Sequence, residues 1–222
     1  MSADLLSPPF LFRFSASCPP GDPIWKKGGV ELPESHRLPC FGALQTPPRN
    51  KVFADVRAAW SPQGLTFSAE IAGKKQAPHL QPNHFAACDG VHLWIDTRNT
   101  HNIHRASRFC HRFAAVPFGM GKDKKQPAVR LLPINRAKEQ PASVSEDAFS
   151  AVSEKRPDGY YLQFHLPAQS LTGFDPDEHP RLGFSYAVAD RELGWQTFSV
   201  GREFPVTEDP SLWGELEMAP AA

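Results

Sequence analysis

DGVHLWIDTRNTHNIHRASRFCHRFAAVP, residues 89–117, reads as a strand, a long polar connection and a second strand. From Gly90 to Thr97 the side chains alternate. Val91, Leu93 and Ile95 point one way, and His92, Trp94 and Asp96 point the other. A period of two over this length marks a half-buried strand rather than a helix. The second strand, Phe109 to Val116, sets Phe109, His111, Phe113 and Ala115 against Cys110, Arg112, Ala114 and Val116. The connection carries Arg98, His101, His104, Arg105 and Arg108 and no acid. If the two strands pair, His92, Trp94 and Arg112 share one sheet face. That face reads in two ways. It is a ligand platform, with Trp94 stacking and Arg112 gripping a carboxylate or hydroxyls, or it is a core face with Trp94 buried. Arg opposite Trp is also a common cation–π pair.

Outward from this pair, the chain continues as short strands divided by turn chemistry. Residues 10–14 (FLFRF) and 30–32 read as short strands around a Pro/Gly-rich turn, and 33–50 as a long loop. KVFADVRAAW and LTFSAEIAG flank Ser61-Pro62-Gln63-Gly64 and form a hairpin. AVRLLPI is a short strand limited by Pro133. AFSAVSEKR and GYYLQFHLP flank Pro157-Asp158-Gly159 and form a second hairpin, followed by one helical turn at 167–171. RLGFSYAVAD, 181–190, alternates through Leu182, Phe184, Tyr186 and Val188. Two short strands near 196–200 and 213–218 complete the set. Roughly ten to twelve strands with almost no helical period predict an all-β, antiparallel β-sandwich. A length of 222 residues fits one such domain over 1–222.

Composition agrees. The 23 prolines are about twice the ordinary share of roughly 5% and belong in loops and at strand edges. The net charge is zero but segregated. Residues 98–138 hold 10 basic side chains and only Asp123 as an acid, whereas 139–222 hold 5 basic and 15 acidic ones. Either the two segments neutralise each other across the fold, or the basic one faces an anionic ligand. Stacked-aromatic nucleic-acid motifs are missing, so nucleic acid is not expected. Cys18, Cys40, Cys88 and Cys110 show no C-x-x-C spacing, and reduced thiols are expected. With no apolar run of 18 residues and no signal-like N-terminus, no membrane span is expected, and the default location is cytoplasmic.

The order of elements resembles the family 9 carbohydrate-binding modules, within the wider DOMON-like, jelly-roll-like β-sandwiches. Four stretches carry the resemblance: RAAWSPQGLTFSAEI, DGVHLWIDTRN, DGYYLQFHLPAQSL, and LGFSYAVADRELG with DPSLWGELEM. Together they cover about residues 50–218. The resemblance implies a non-catalytic domain that holds a sugar between two aromatic rings with a polar rim. By motif the first ring position falls near Phe85. The second falls near Thr207, where Phe204 in the same loop is the available ring. The family's strand Glu corresponds to His92, and its Arg and Asn on the next strand to Ala114 and Val116, with Arg112 still on that face. The expected site is therefore Phe85, Trp94 and Phe204 stacking, with His92, Arg98 and Arg112 hydrogen-bonding. Its ligand would be a carbohydrate or other polyol, an acidic one if the basic segment faces it.

Other chemistries have weaker support. His101, His104, Cys110 and His111 are good metal ligands by type, but their spacing fits no structural zinc site. A haem-binding branch of the DOMON-like group uses Met with His or Lys, which would point to Met120. Asp89, Asp96, Asp190 and Glu192 lie near strand ends, where a glycosidase would need two opposed carboxyls. No hydrolase, nucleotide or zinc-protease motif is present. No cofactor, metal or catalytic residue is expected. The alternative to sugar binding is an interaction or scaffold module whose basic face meets a protein partner.

Overall fold

The computed structural model describes residues 12–22, 25, 28–44, 52–81, 83–121, 123 and 125–220. Its strands are β1 (Ser15–Cys18), β2 (Ala54–Ser61), β3 (Gly64–Ala72), β4 (Gly90–Asp96), β5 (Cys110–Met120), β6 (Gln126–Leu132), β7 (Ser150–Arg156), β8 (Gly159–Pro167), β9 (Arg181–Asp190), β10 (Gly194–Thr197) and β11 (Gly214–Met218). The larger sheet runs β1-β11-β9-β4-β5-β6, with β10 also paired to β9; the smaller runs β2-β3-β8-β7. All pairings are antiparallel except β1 with β11. The chain is an all-β sandwich, as the alternation predicts.

The inward faces follow the period of two. Val91, Leu93 and Ile95 of β4, Phe113 and Ala115 of β5, and Leu182, Phe184, Tyr186 and Val188 of β9 meet the smaller sheet. That sheet answers with Phe67, Ala69 and Ile71 of β3 and Tyr160, Leu162 and Phe164 of β8. Phe67 links the layers, stacked on Phe164 at 5.7 Å and on Phe184 at 6.0 Å. Gln196 of β10 adds a polar staple. Its Oε1 accepts from the backbone of Phe53 and Ala54, each at 2.8 Å, and its Nε2 donates to the Ala54 carbonyl at 2.7 Å. At Gly90 a Cβ would run into the Ala115 carbonyl oxygen, so only glycine lets β4 start this close to β5.

Two of the expected strands differ. The first strand is Ser15–Cys18 rather than 10–14, because Ala16 and Cys18 are the inward-facing pair; residues 10 and 11 lie outside the described residues. Residues 30–32 form no strand. The Val30 backbone is satisfied by the Gln163 side chain instead, at 2.8 and 2.7 Å. The loop 33–50 contains two 3-10 turns, Glu34–His36 and Phe41–Leu44, and 45–50 lie outside the described residues. So do Lys122, Lys124 and the side chain of Met120. Cys18, Cys88 and Cys110 are free thiols, Cys40 Sγ donates to the Thr197 carbonyl at 3.3 Å, and among the described residues no helix is long and apolar enough to cross a membrane.

One end of the sandwich is closed by charge. Lys74, just past β3, has a side chain only 3% exposed. It pairs with Asp190 at the end of β9, with Asp89 at 3.4 Å, and with Glu192 at 3.9 Å. The remaining carboxylate capacity goes to backbone. Asp89 accepts from Arg191 and His79, each at 2.9 Å, and Asp190 from Glu192 and Leu193 at 2.9 and 2.8 Å. Replacing Lys74 by Met leaves two carboxylates buried without their cation. The expected loss is about 3–5 kcal/mol, or roughly 10 °C or more in Tm, read by urea and thermal denaturation.

Candidate functional site

The outward face of the larger sheet carries the residues singled out in the sequence. Trp94 stands opposite Arg112 on β5 and Ser185 on β9, and His92 stands opposite Ala114 and Ala187. The Arg112 guanidinium lies 5.9 Å from the Trp94 ring centroid. This is neither the inter-sheet core nor an open platform. Trp94 is 0% exposed and His92 2%, because three loops roof them. Ile103 and Ala106 come from the β4–β5 connection, Ile134 and Ala137 from the segment after β6, and Val200, Phe204, Val206, Leu212 and Trp213 from the chain between β10 and β11.

The roof is bonded to itself. Lys138 N donates to the Ala106 carbonyl at 2.8 Å, Arg105 Nε to the Arg136 carbonyl at 2.8 Å, and Trp213 Nε1 to the Val206 carbonyl at 2.8 Å. Polar side chains of the basic and the acidic segments also meet there. His101 lies 2.9 Å from Glu215, His104 3.1 Å from Asp209, and Asn135 donates to Glu208 at 2.8 Å. The basic segment and the acidic C-terminal part are therefore neighbours in space, which was the first of the two charge readings.

The other expected site residues are dispersed. Phe85, 5% exposed, packs in a separate cluster with Cys88, Ala114 and Val116, under the Arg130 guanidinium at 4.2 Å. Phe204 is half-buried against the Trp94 cluster. Arg98 is at the far end of β4, donating to the Gly173 carbonyl at 2.6 Å and lying 4.7 Å over Phe109. His111 faces the core side, stacked on Phe113 at 6.0 Å, and its Nε2 accepts from Thr172 N at 2.9 Å. Asp96 is engaged by the backbone of Arg98 and Thr100 at 3.0 and 2.7 Å. Among the described residues no three His, Cys, Asp or Glu side chains are placed to hold a metal.

Where the roof stops, the same face opens. A cleft of about 640 Å³ lies beside the start of β4 and the end of β9, bordered by Trp195, Arg202, Glu203, Arg191, His79 and Gln81. Trp195 of β10 is half-buried. One neighbour is the His92 ring, nearly parallel at 6.3 Å, and the Arg202 guanidinium sits 5.0 Å over the indole. Arg191 donates to His79 Nδ1 at 3.1 Å. Trp195 was missed in the sequence, where the strand was placed from residue 196. Alternation extended back one residue would have set Trp195 outward against inward Gln196.

The molecule is thus a two-sheet sandwich with an aromatic-edged polar cleft on its larger sheet. That is the fold of the family 9 carbohydrate-binding modules. One from Caldicellulosiruptor kristjanssonii in complex with glucose matches at 12% identity and a TM-score of 0.62, covering 94% of this chain and 97% of that one. The cellotriose complex of a family 9 module from the same organism matches at 12% identity and a TM-score of 0.60, covering 94% and 95%. A Bacteroides uniformis protein with a provisional carbohydrate-binding assignment matches at 11% identity and a TM-score of 0.54, covering 94% and 100%. No family model matches the chain, and no curated protein matches it in sequence.

Burial fixes the charge state of both inner histidines. It pushes His92 down to about 4, helped by the Arg112 charge, and His111 down to about 4. In the unfolded chain each titrates near 6.5. Between those values the unfolded chain binds protons that the folded chain refuses. The histidine contribution is therefore complete above about pH 6.5 and falls as the pH drops, by about 3 kcal/mol per histidine near pH 4. Urea midpoints measured from pH 7.5 to 4.5 should fall less steeply in His92→Gln than in the wild type.

Proposed function

We propose that the chain is a non-catalytic binding module for a sugar or polyol, which rests against Trp195 in the open cleft. The observation that carries this reading is the position of that indole, half-buried on the outward sheet face at the border of a polar, solvent-open concavity. An aromatic face covers the apolar C–H face of a pyranose, and nearby charged and amide groups meet its hydroxyls. Gln81, His79, Arg191, Arg202 and Glu203 supply such a rim. Solved structures with this fold contain glucose and cellotriose, which supports the ligand class. The Trp94 platform expected from sequence would need the roof displaced, so Trp195 takes the stacking role in this proposal.

The non-catalytic part rests on the acids. Asp89, Asp190 and Glu192 gather around Lys74, and Asp96 holds a turn. None of the four stands free opposite another across the cleft, as glycoside hydrolysis requires.

A glycan-array screen followed by titration with intrinsic tryptophan fluorescence tests the proposal. Saturable binding is expected, weakened about 30-fold in Trp195→Ala, the loss of roughly 2 kcal/mol typical of an aromatic anchor. The indole is only partly buried, so the variant should remain folded with a lowered Tm, which thermal denaturation checks before the titration. Absence of saturable binding to every glycan would sink the proposal.

A further inference from the structure

Beneath the roof, beside the cleft, one row of the sheet holds polar atoms without partners. Trp94 Nε1, Ser185 Oγ, Arg112 Nε and His92 Nδ1 are all buried, and none has a hydrogen-bond partner among the described residues. They are neighbours by strand register. Trp94 pairs across to both Arg112 and Ser185, and His92 is the next outward residue on β4. Native interiors leave few buried polar groups unsatisfied, and four in one patch call for an occupant.

The patch also contains a cationic side chain without a close ion pair. No carboxylate lies within 4.0 Å of the Arg112 guanidinium among the described residues. Burial pushes Arg112 below its usual range, and Glu208 acts on it only at longer reach. Arg112 is partly buried with its Nε fully so, and a half-desolvated guanidinium favours an anionic partner within reach. The polar atoms around it are of mixed type. Trp94 Nε1 and the Arg112 nitrogens can only donate, and Ser185 Oγ can do either. His92 Nε2 is 3.3 Å from the Cys88 carbonyl, so it carries the proton, and Nδ1 offers a lone pair.

We infer that this row is a subsite for the carboxylate of an acidic sugar, a uronic or aldonic acid, entered from the Trp195 cleft. The inference rests on the sugar-binding reading above and names its substrate class. Arg112 and Trp94 donate to the carboxylate oxygens, and an adjacent hydroxyl donates to His92 Nδ1 while accepting from Ser185. The partition between cleft and row is the Trp195 ring, which lies beside His92 and within 5.0 Å of the exposed Arg202 guanidinium. Ala187 and Ala189, both buried, are the β9 residues between them, so the Trp195 ring is what separates the row from the cleft.

The test titrates the full chain with D-glucose and with D-glucuronate, following the tryptophan indole N–H resonances by NMR. Glucuronate should bind about tenfold or more tightly than glucose, as a charge-assisted bidentate contact implies. The Trp94 indole resonance should move downfield with glucuronate and stay in place with glucose. In Arg112→Met the preference should collapse to near parity while glucose binding survives. The wild-type resonance shift decides the matter even if that variant folds poorly. Equal affinity for both sugars with an unmoved Trp94 resonance overturns the subsite and leaves the module reading intact. A preference that persists in folded Arg112→Met also overturns it. Binding of neither sugar, with ordered water alone in the row, removes the subsite. If the glycan array is blank as well, the module reading goes with it.

Discussion

The ammonium of Lys74, sealed between the carboxylates of Asp89 and Asp190, governs the end of the sandwich where the cleft lies. Lysine is among the residues least often buried, and it stays so here because its charge is matched from two sides. The pairing does more than neutralise. It joins the exit of β3 in one sheet to the entry of β4 and the exit of β9 in the other. Both aspartates also hold backbone N–H groups of the neighbouring loops. Those loops carry His79 and Arg191, and the second leads directly into β10 and Trp195. The cleft border is therefore built on rigid, cross-linked chain, the condition under which a recognition site keeps its geometry.

A second constraint is that the larger sheet is covered on both sides. Antiparallel sheets commonly leave one face to water, whereas here β4 is buried along its whole length, outward residues included. The inner cover is apolar and complete. The outer cover is made of loops laid over polar side chains, and they do not satisfy what they hide. A sheet designed only to be stable would carry valine or leucine at 92, 94 and 112. The retention of His, Trp and Arg under a roof is intelligible if the roofed row and the open cleft form one binding surface.

Much of the architecture was legible in residue order. The hairpins β2–β3 and β7–β8, the central strands β4 and β5, and β9 all show alternation between strong turn residues, and each forms where that pattern stands. The neighbourhood of the basic and acidic segments was legible too, as the Arg130–Glu146 pair at 2.8 Å shows. The site was less legible. Periodicity places Trp94 on the outward face but carries no information about loops folding over it, one of them from more than 100 residues away. Trp195 belongs to a four-residue strand, too short for alternation to stand out. Lys74 looks like an ordinary solvated lysine until Asp89 and Asp190 are brought to it by tertiary structure.

The pairing of β1 with β11 bears on how the chain comes to be folded. Ser15–Cys18 pairs, among the described residues, with Gly214–Met218, about 200 residues later in synthesis. The contact is sealed by Ala219, whose N–H donates to the Cys18 carbonyl and whose own carbonyl accepts from Trp60 Nε1. On a ribosome adding about 5–20 residues per second, β1 waits on the order of 10–40 s with an unmatched backbone. Once β9 is made, the flank that β11 will cover is an open edge for the roughly 25 residues before β11 follows, about 1–5 s at that rate, and is available to any other extended chain. Of the described strands, the one that covers this edge of β9 is thus the one made latest.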